Sequence, residues 1–311
     1  MARFVLERIV SSVVMCVALT LLVFLAFFRL AHADPGGRRE APSAYRVHGS
    51  VLGQYLHYLW RLVAHGDLGR SYVTREPVGA RLWQAAPVTL SLVAGGVVVW
   101  LLISVSLGTL SGLRPRSLGD RASTVFVLAG LSLHPVWLGL VLSWFFGHHL
   151  HVLPAQGYCS LNNLSTGCDG LARWAYHLLL PWLVFGFVNA ALFTSMLRAL
   201  LREELGADYV RTAEAKGLRR RHVVRRHVLR NVTAPLLTMI GLTAGTSLAG
   251  VIFIESAFDL PGLGAMLRQA ALRRDLPMTA GSVLMLAGAI VVLNLIVDLA
   301  YGVLDPRQNV R

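Results

Sequence analysis

The sequence is poor in charge and nearly lacks lysine. Only 14% of its 311 residues are charged and 55% are apolar, whereas a soluble domain is usually about one quarter charged. Of the 29 basic residues, 28 are arginine and one is Lys216. Because no GK[ST] triplet occurs, the chain lacks the phosphate-binding loop of a P-loop ATPase. The composition therefore indicates a membrane protein, and any ATP that it uses would bind to another chain.

Cysteines and catalytic groupings are also scarce. Cys159 and Cys168 flank a polar loop whose spacing fits no zinc site. A disulfide between them is a candidate if the loop faces an oxidising space, and a reduced pair is the alternative. HHLH at 148–151 is more typical of an interfacial loop than of a metal site. No Ser/His/Asp grouping carries a hydrolase motif, so the sequence predicts no catalytic site, no metal and no cofactor in this chain.

Six apolar runs are long enough to cross a bilayer as helices, which takes about 20 residues. They are Ile9–Phe28, Val88–Leu110, Ser123–Phe146, Trp174–Leu197, Val232–Ile254 and Leu276–Val297. None contains Asp, Glu, Lys or Arg, which argues against an ion-coupled carrier with ionisable groups in mid-membrane. A signal peptide is the competing interpretation of the first run, which is longer than a typical signal core of about 7–15 residues. The sequence predicts an all-α membrane protein with six transmembrane helices.

The distribution of arginines favours both termini in the cytoplasm. Ten basic residues lie between 198 and 230, whereas the two short outer loops together hold four. Seven more lie in the first outer loop, where length weakens the rule. The expected organisation is an N-terminal arm and first helix at 1–30, an outer loop at 31–87, a helical core at 88–303 with a cytoplasmic loop at 198–231, and a tail at 304–311.

The first outer loop contains a helical pattern of its own. Apolar side chains recur there at helical spacing, at Leu52, Tyr55, Leu56, Leu59, Leu62 and Val63. This predicts an amphipathic helix on the outer surface. Contact with lipid and packing on the outer face of the protein itself are the two open interpretations.

The arginine-rich segment at 208–231 also has a local pattern. Asp208 begins a run of good helix formers, where a negative charge suits the helix dipole. Gly217 is typical of a helix end because it tolerates positive φ. Arginines then fill most positions, with Val224 and Val228 four apart. The pattern predicts a short helix, a break at Gly217, and a second cationic helix that runs into the fifth membrane segment.

Three functions can be weighed for this cationic segment. Nucleic-acid binding is disfavoured because the stretch 211–231 lies between membrane helices and contains no aromatic ring for base stacking. Attraction to anionic lipid explains the later arginines, at about 1 kcal/mol each near the surface. It does not explain the small residues before them. Docking of a partner explains these small residues, because Val210, Ala213, Glu214 and Gly217 form a narrow face that fits a groove.

A longer match points to a family. The chain reads DYVRTAEAKGL at 208–218, then HVLRN at 227–231 and Pro235. This resembles the cytoplasmic EAA loop of binding-protein-dependent ABC importer permeases. It most resembles the first permease subunit type of the peptide (oligopeptide, dipeptide and nickel) branch. In that family the loop forms a coupling helix that inserts into a groove on the ATPase. The resemblance implies ATPase docking by Asp208, Tyr209, Val210, Arg211, Thr212, Ala213, Glu214, Ala215, Lys216, Gly217 and Leu218.

Three further motifs resemble the same branch. They are GDLGRSYVTREPV at 66–78, IFIESAFDLPGLG at 252–264 and VDLAYGVLDPR at 297–307. The segment 31–50 departs from the family pattern, because it is shorter and more basic than the acidic, proline-rich segment often found there. The resemblance nevertheless spans nearly the whole chain.

The resemblance implies a multi-pass subunit of a peptide importer in the bacterial inner membrane. The implied partners are a second homologous permease, two ATPase subunits that carry ATP and Mg²⁺, an external solute-binding protein and membrane lipid, but no nucleic acid. This chain itself is then not an enzyme. Nickel chelates or another small solute are alternative cargoes. A non-transporting membrane scaffold with a polybasic lipid-binding loop is the alternative function.

Several residues are candidates for the pathway or its gate. Polar groups are costly within a membrane unless paired, although Ser and Thr can bond to their own helix carbonyls. The pathway candidates are His134, Asn189, Thr246 and Asn294. The family motif implies an outer gate at Glu255, Phe258 and Asp259. Pro135 and Pro181 are predicted to kink their helices.

Overall fold

The computed structural model describes residues 2–32, 51–160, 168 and 170–304, and these are helical apart from loops and one isolated bridge between Arg70 and Pro77. Their α-helices are α1 (Ala2–His32), α2 (Val51–His65), α3 (Val78–Leu113), α4 (Leu118–Ser132), α5 (Pro135–Leu142), α6 (Leu171–Leu205), α7 (Asp208–Ala215), α8 (Arg220–Val223), α9 (Leu229–Ala257), α10 (Leu263–Leu272) and α11 (Leu276–Leu304). A π-helical turn at Ser143–His149 extends α5, and another at Val224–Val228 joins α8 to α9. Parts of the predicted outer loop (33–50) and tail (305–311) lie outside the described residues.

Four described helices are long and apolar enough to cross a membrane. They are α1 over Ile9–Ala26, α3, α6 and α11 over Leu276–Val297. These four match the first, second, fourth and sixth predicted runs. The fifth run falls within α9, which is 29 residues long but has only some of its side chains described. The mostly helical membrane fold is confirmed for the described residues.

The third predicted run is not one straight helix. The helices α4 and α5 are bent by 108° across a short break before Pro135. Pro135 lies in the first turn of α5, where the missing N–H costs no hydrogen bond. His134 caps this helix, since its Nδ1 accepts from the N–H of Val136 at 3.3 Å. The bend predicted at Pro135 is confirmed, and the third run forms two helices, α4 and α5, instead of one. Pro181, in contrast, lies inside the continuous α6.

The centre of the fold is the contact between α3 and α6. Glycines on α3 face large side chains of α6 along much of the pair: a Cβ on Gly96 would lie 2.5 Å from Cδ1 of Phe185, and one on Gly112 would lie 2.9 Å from Cβ of Leu201. Small residues are common where membrane helices meet, because they let the backbones approach closely. The other helices of the core, α5 and α9, pack against this pair.

Replacing Gly186 with leucine is expected to force α3 and α6 apart. A Cβ there would lie 2.5 Å from Cγ1 of Val99 and 3.1 Å from the backbone nitrogen of Trp100. Overpacking of a core costs about 1–3 kcal/mol. We expect a lower melting temperature of the purified chain in detergent. Gly250→Leu is the matched control, because nothing lies within 4 Å of a Cβ at that position. Equal melting temperatures for the two variants would contradict this assignment of the contact.

Helix α2 packs on the C-terminal half of α1. The hydroxyl of Tyr55 donates to the carbonyl oxygen of Val17 at 3.1 Å, and the rings of Tyr55 and Tyr58 have centroids 5.5 and 5.7 Å from that of Phe24. The opposite side of α2 exposes four large apolar side chains, Leu52, Leu56, Trp60 and Val63. The predicted amphipathic helix therefore covers the protein with one side and leaves an apolar surface on the other.

Candidate coupling surface and outer mouth

Helix α7 ends in a glycine cap. The N–H of Gly217 donates to the carbonyl oxygen of Glu214 at 2.9 Å, and the N–H of Leu218 donates to that of Ala213 at 3.2 Å. These two bonds form a Schellman motif, which places a left-handed residue just after the helix. Gly217 has a φ of 82°, a conformation that other residues rarely adopt. The chain therefore turns away after α7.

One side of α7 faces the protein and the other faces solvent. Val210 is 3% exposed and packs with Leu201 of α6 and Val223 of α8, and Ala213 lies against the same cluster. The face predicted to meet a partner therefore does not act as one surface. Val210 and Ala213 pack against the protein, and Glu214 and Gly217 are exposed. The exposed members of the predicted docking set are Asp208, Tyr209, Arg211, Thr212, Glu214, Ala215, Lys216, Gly217 and Leu218.

Tyr209 ties α7 to two longer helices. Its hydroxyl donates to Oε2 of Glu204 at 2.5 Å, and Nδ2 of Asn231 donates to the same oxygen at 3.4 Å. Burial, followed by the hydrogen bond to Glu204, raises the pKa of Tyr209, which keeps the phenol a neutral donor. Glu204 lies at the end of α6 and Asn231 at the start of α9. The start of α7 is therefore held against the end of α6 and the start of α9.

After Gly217 the chain returns toward the fifth predicted span without another break. The helix α8, the π-helical turn and α9 follow one another directly from Arg220 to Ala257. Val223, Val228 and Val232 are buried in one cluster with side chains of α6. This helical run joins the cap of α7 to the C-terminal end of α9.

A second cluster on the same side is centred on Asp120, near the start of α4. Its Oδ1 accepts from the hydroxyl of Ser111 at 2.5 Å and from Arg202 at 2.7 Å, and its Oδ2 accepts from the N–H of Arg116 at 2.9 Å. The Ser111 bond, the Arg116 N–H and Arg202 together lower the pKa of Asp120 well below its usual range. The charged carboxylate joins α3, α4 and α6. The sequence gives only a local sign of this cluster, the S-x-x-D pattern that begins at Ser117 and signals a helix start.

Glu255, near the end of α9, is fully buried. Its Oε1 accepts from the hydroxyl of Thr89 at 2.6 Å, and its Oε2 accepts from the N–H of Ala265 at 2.9 Å. The N–H of Leu263 donates to Oγ1 of Thr89 at 2.8 Å. Glu255 therefore caps the start of α10, where backbone N–H groups lack helical partners. Position 262 needs a glycine, because a Cβ there would overlap the carboxylate.

The other two outer-gate candidates differ in burial: Phe258 is buried and Asp259 is exposed. Phe258 is 1% exposed and packs in the core of α5, α6 and α9, and its carbonyl oxygen accepts from the N–H of Gly157 at 3.0 Å. Asp259 is exposed and has a φ of 51°. Glu255 and Phe258 are thus buried in contacts between helices, and Asp259 is exposed. A gating role for these residues stays a prediction.

Asp275 joins the 66–78 motif to α11, which the sequence analysis did not predict. It is 3% exposed, and it accepts from the hydroxyl of Ser71 and from the N–H of Tyr72, the latter at 3.1 Å. It also accepts from the N–H of Met278 at 3.4 Å, which caps the start of α11. Ser71 and Tyr72 lie about 200 positions away from Asp275 in the chain, so no local pattern identifies their contact with it.

The pathway candidates do not converge on one site. Asn189 of α6 accepts from the hydroxyl of Ser247 of α9 at 2.7 Å, so it bonds two helices together. His134 is exposed at the start of α5. Oδ1 of Asn294 is buried without a hydrogen-bond partner among the described residues. The side chain of Thr246 lies outside the described residues. Their place in a pathway stays a prediction.

Cys159 and Cys168 are paired in the structure. Their Cα atoms lie 5.8 Å apart, within the ordinary range for a disulfide, and their side chains are buried. Residues 161–167 of the loop between them lie outside the described residues. The pairing closes that loop beside α6.

Comparison with known proteins gives the same family that the sequence motifs resemble. Residues 104–310 match the family described as "Binding-protein-dependent transport system inner membrane component". The dipeptide transport system permease protein DppB of Escherichia coli (strain K12) is 35% identical over 336 residues, covering 99% of this chain and 98% of that protein. The di/tripeptide transport system permease protein DppB of Pseudomonas aeruginosa is 34% identical over 99% of this chain and 98% of its own. The dipeptide permease DppB of Alkalihalophilus pseudofirmus is 30% identical over 99% of both chains.

These matches and the apolar helices identify a multi-pass protein of the bacterial inner membrane. The match to the family covers more than half of the chain, and the relatives align with it from end to end. The chain therefore belongs to the family of inner-membrane components of binding-protein-dependent transport systems.

Proposed function

We propose that the chain is the permease subunit of an ABC importer for peptides, forming half of the translocation pathway. Relatives that align over the whole chain are named dipeptide and di/tripeptide permeases. The observation that carries the proposal is the arrangement of α7. Val210 packs α7 against the protein and Tyr209 ties its start to α6, the other side of α7 is exposed, and the chain continues from its cap through α8 and the π-helical turn into α9. A helix that receives force from a partner needs these properties: an exposed side for contact, and a firm attachment to the helices that are to move.

The proposed topology has six spans with both termini in the cytoplasm. The pair α4 and α5 is the third span, broken near its middle, and α9 is the fifth. The excess of arginine around α7 supports a cytoplasmic position for it, between the fourth and fifth spans. In this arrangement Glu255, Asp275 and the cysteine pair lie on the outer side. An oxidising space there favours a disulfide between Cys159 and Cys168.

The proposed mechanism is a two-state movement. Closure of two ATPase subunits displaces the groove that holds 208–218, and α7 moves with it. The run from Arg220 to Ala257 transmits the movement to the outer mouth, because it has no break at which the displacement is absorbed. The cytoplasmic cluster at Asp120 makes α3, α4 and α6 follow as one unit. Each nucleotide state then favours one of two arrangements of the pathway.

The proposed assembly contains several other chains. ATP and Mg²⁺ bind on two ATPase subunits, since this chain has no GK[ST] triplet. A second homologous permease supplies the other half of the pathway, and an external binding protein delivers the solute. The segment 66–78 and α10, held by Asp275 and Glu255, form the outer surface offered to that protein.

Reconstitution of the assembly tests this function. The chain is co-expressed with a candidate second permease, ATPase subunits and a binding protein from the same organism, and the purified complex is placed in proteoliposomes. We expect ATP-dependent uptake of a labelled dipeptide that requires the binding protein. A nickel chelate is the comparison cargo, since that solute defines the alternative within the branch. Co-purification without uptake of either cargo would contradict transport, and failure to co-purify any ATPase would contradict coupling.

A further inference from the structure

The arginine-rich segment contains an open cavity that the proposed ATPase docking does not use. It has a volume of about 490 Å³ and lies along α8 and the π-helical turn. Its lining consists of Arg219, Arg221, His222, Arg225 and Arg226, all of them exposed. Four guanidinium groups and one imidazole therefore surround one space, here called the arginine cavity.

The local helix explains why these side chains meet. Arg221 and Arg225 are four residues apart, as are His222 and Arg226, and residues at this spacing lie on one side of a helix. The opposite side carries Val223 and buried valines of the π-helical turn, which pack against α6 and α7. The apolar side fixes the segment, so the cationic side is held outward as a group.

The charge of the arginine cavity has no counterpart in its lining. No acidic side chain lines it among the described residues. Glu214 lies 4.0 Å from Nε of Arg220, and Arg220 is not part of the lining. Four like charges around one space repel one another, and a bound anion removes that repulsion. Guanidinium groups suit phosphate in particular, because their planar donors match its oxygens in pairs.

The end of the cavity at Arg225 and Arg226 lies close to the level of phospholipid phosphates, a step that rests on the topology proposed above. Arg226 precedes the start of the fifth span at Val232 by six residues, or about 9 Å of helix. The headgroup zone of a bilayer is on the order of 5–8 Å deep on each side. Arg225 and Arg226 therefore lie just outside the phosphates of the cytoplasmic leaflet, and Arg219 and Arg221 lie farther toward the cytoplasm.

We propose that the arginine cavity is a binding site for a phosphate-bearing anion, held by the guanidinium groups of Arg219, Arg221, Arg225 and Arg226. The headgroup of an anionic lipid and a free phosphate from the cytoplasm share this chemistry. The site differs from general attraction of arginines to a membrane, because it requires particular residues and saturates at one anion. It is also separate from the transported solute and from the exposed side of α7.

The test measures binding to the purified full-length chain in detergent. One probe is phosphatidylglycerol, followed by native mass spectrometry with phosphatidylcholine as the neutral reference. The other probe is inorganic phosphate at constant ionic strength, followed by its effect on the melting temperature. Arg221→Gln/Arg225→Gln removes two lining groups, and Arg219→Gln/Arg226→Gln removes the other two. Arg220→Gln/Arg230→Gln is the matched control, since it removes the same charge outside the lining.

We expect saturable binding of one anion, weakened at least tenfold in both lining variants and less than twofold in the control. Retention of phosphatidylglycerol alone identifies a lipid headgroup, and stabilisation by inorganic phosphate as well identifies a free anion; either result supports the site. Equal losses in the lining and control variants would overturn it, because the attraction would then be non-specific. Unchanged binding of both probes in the lining variants would also overturn the site. If the same variants then failed to co-purify the ATPase, the cavity would be assigned to an acidic surface of that partner. None of these readouts depends on transport.

Discussion

Ala215→Arg is expected to abolish ATP-driven uptake while leaving the chain folded. Ala215 ends α7 on its exposed side, where a small side chain leaves the last turn accessible. An arginine adds a long charged group to the surface that is proposed to enter the ATPase groove, and a charge buried without a partner is strongly unfavourable. We expect co-purification of the ATPase to fall at least tenfold, or about 1.4 kcal/mol or more in binding, and uptake to fall to background.

Two companion variants make this result specific. Ala215→Ser is the control of similar size and is expected to retain ATPase binding and uptake. Ala213→Arg is expected to lower the yield of folded chain as well, because Ala213 lies against the buried cluster that includes Val210. Full uptake by Ala215→Arg would show that the exposed side of α7 is not the docking surface. Membership of the permease family would be unaffected by that outcome.

Glu255→Ala is expected to cost more stability than any exposed substitution on the outer side. The carboxylate accepts from the hydroxyl of Thr89 and the N–H of Ala265, and it is fully buried. Its removal leaves two buried donors without partners, each at about 1–3 kcal/mol. We expect a large loss of monodisperse chain after detergent extraction and a clear fall in melting temperature. The start of α10 is then expected to become accessible to proteases.

Glu255→Gln separates hydrogen bonding from charge. A glutamine oxygen can accept from Ala265 while its amide donates to Thr89, whose hydroxyl has a lone pair available. We therefore expect most of the stability to return. Glu76→Ala is the exposed control, since Glu76 pairs only at the surface with Arg81. A Glu255→Ala chain as stable as the Glu76→Ala chain would contradict the capping role of Glu255.

Short-range patterns in the sequence predicted much of the coupling region. Gly217 marked the end of α7 because a left-handed cap depends on residues within one turn. The residue pattern of α7 did not predict which of its sides faces the protein. The spacing of Val210, Ala213 and Gly217 places them on one side of a helix, but it cannot say whether that side meets a partner or the chain's own core.

The size of the bend before Pro135 and the contacts of Glu255 and Asp275 could not be predicted from such local patterns. The run at 123–146 contains no charged residue, so hydropathy alone joins α4 and α5 into one span; Pro135 predicted a kink there but not its angle of 108°. Glu255 was noticed through its motif, but its partner Thr89 lies on α3. Asp275 and Ser71 are separated by about 200 positions. Contacts of this kind arise only when distant helices pack.

The sequence by itself determined that this is a helical membrane protein of the binding-protein-dependent permease family, because apolar length, arginine placement and the 208–235 motif are local properties. Only the tertiary structure decided how those parts act. It turned Val210 inward and left Ala215 outward, made Glu255 the cap of α10, and gathered Arg219, Arg221, Arg225 and Arg226 around one cavity. The physical reason is burial: which polar and charged groups lose water depends on the helices that pack against them, and one segment carries no record of its distant neighbours.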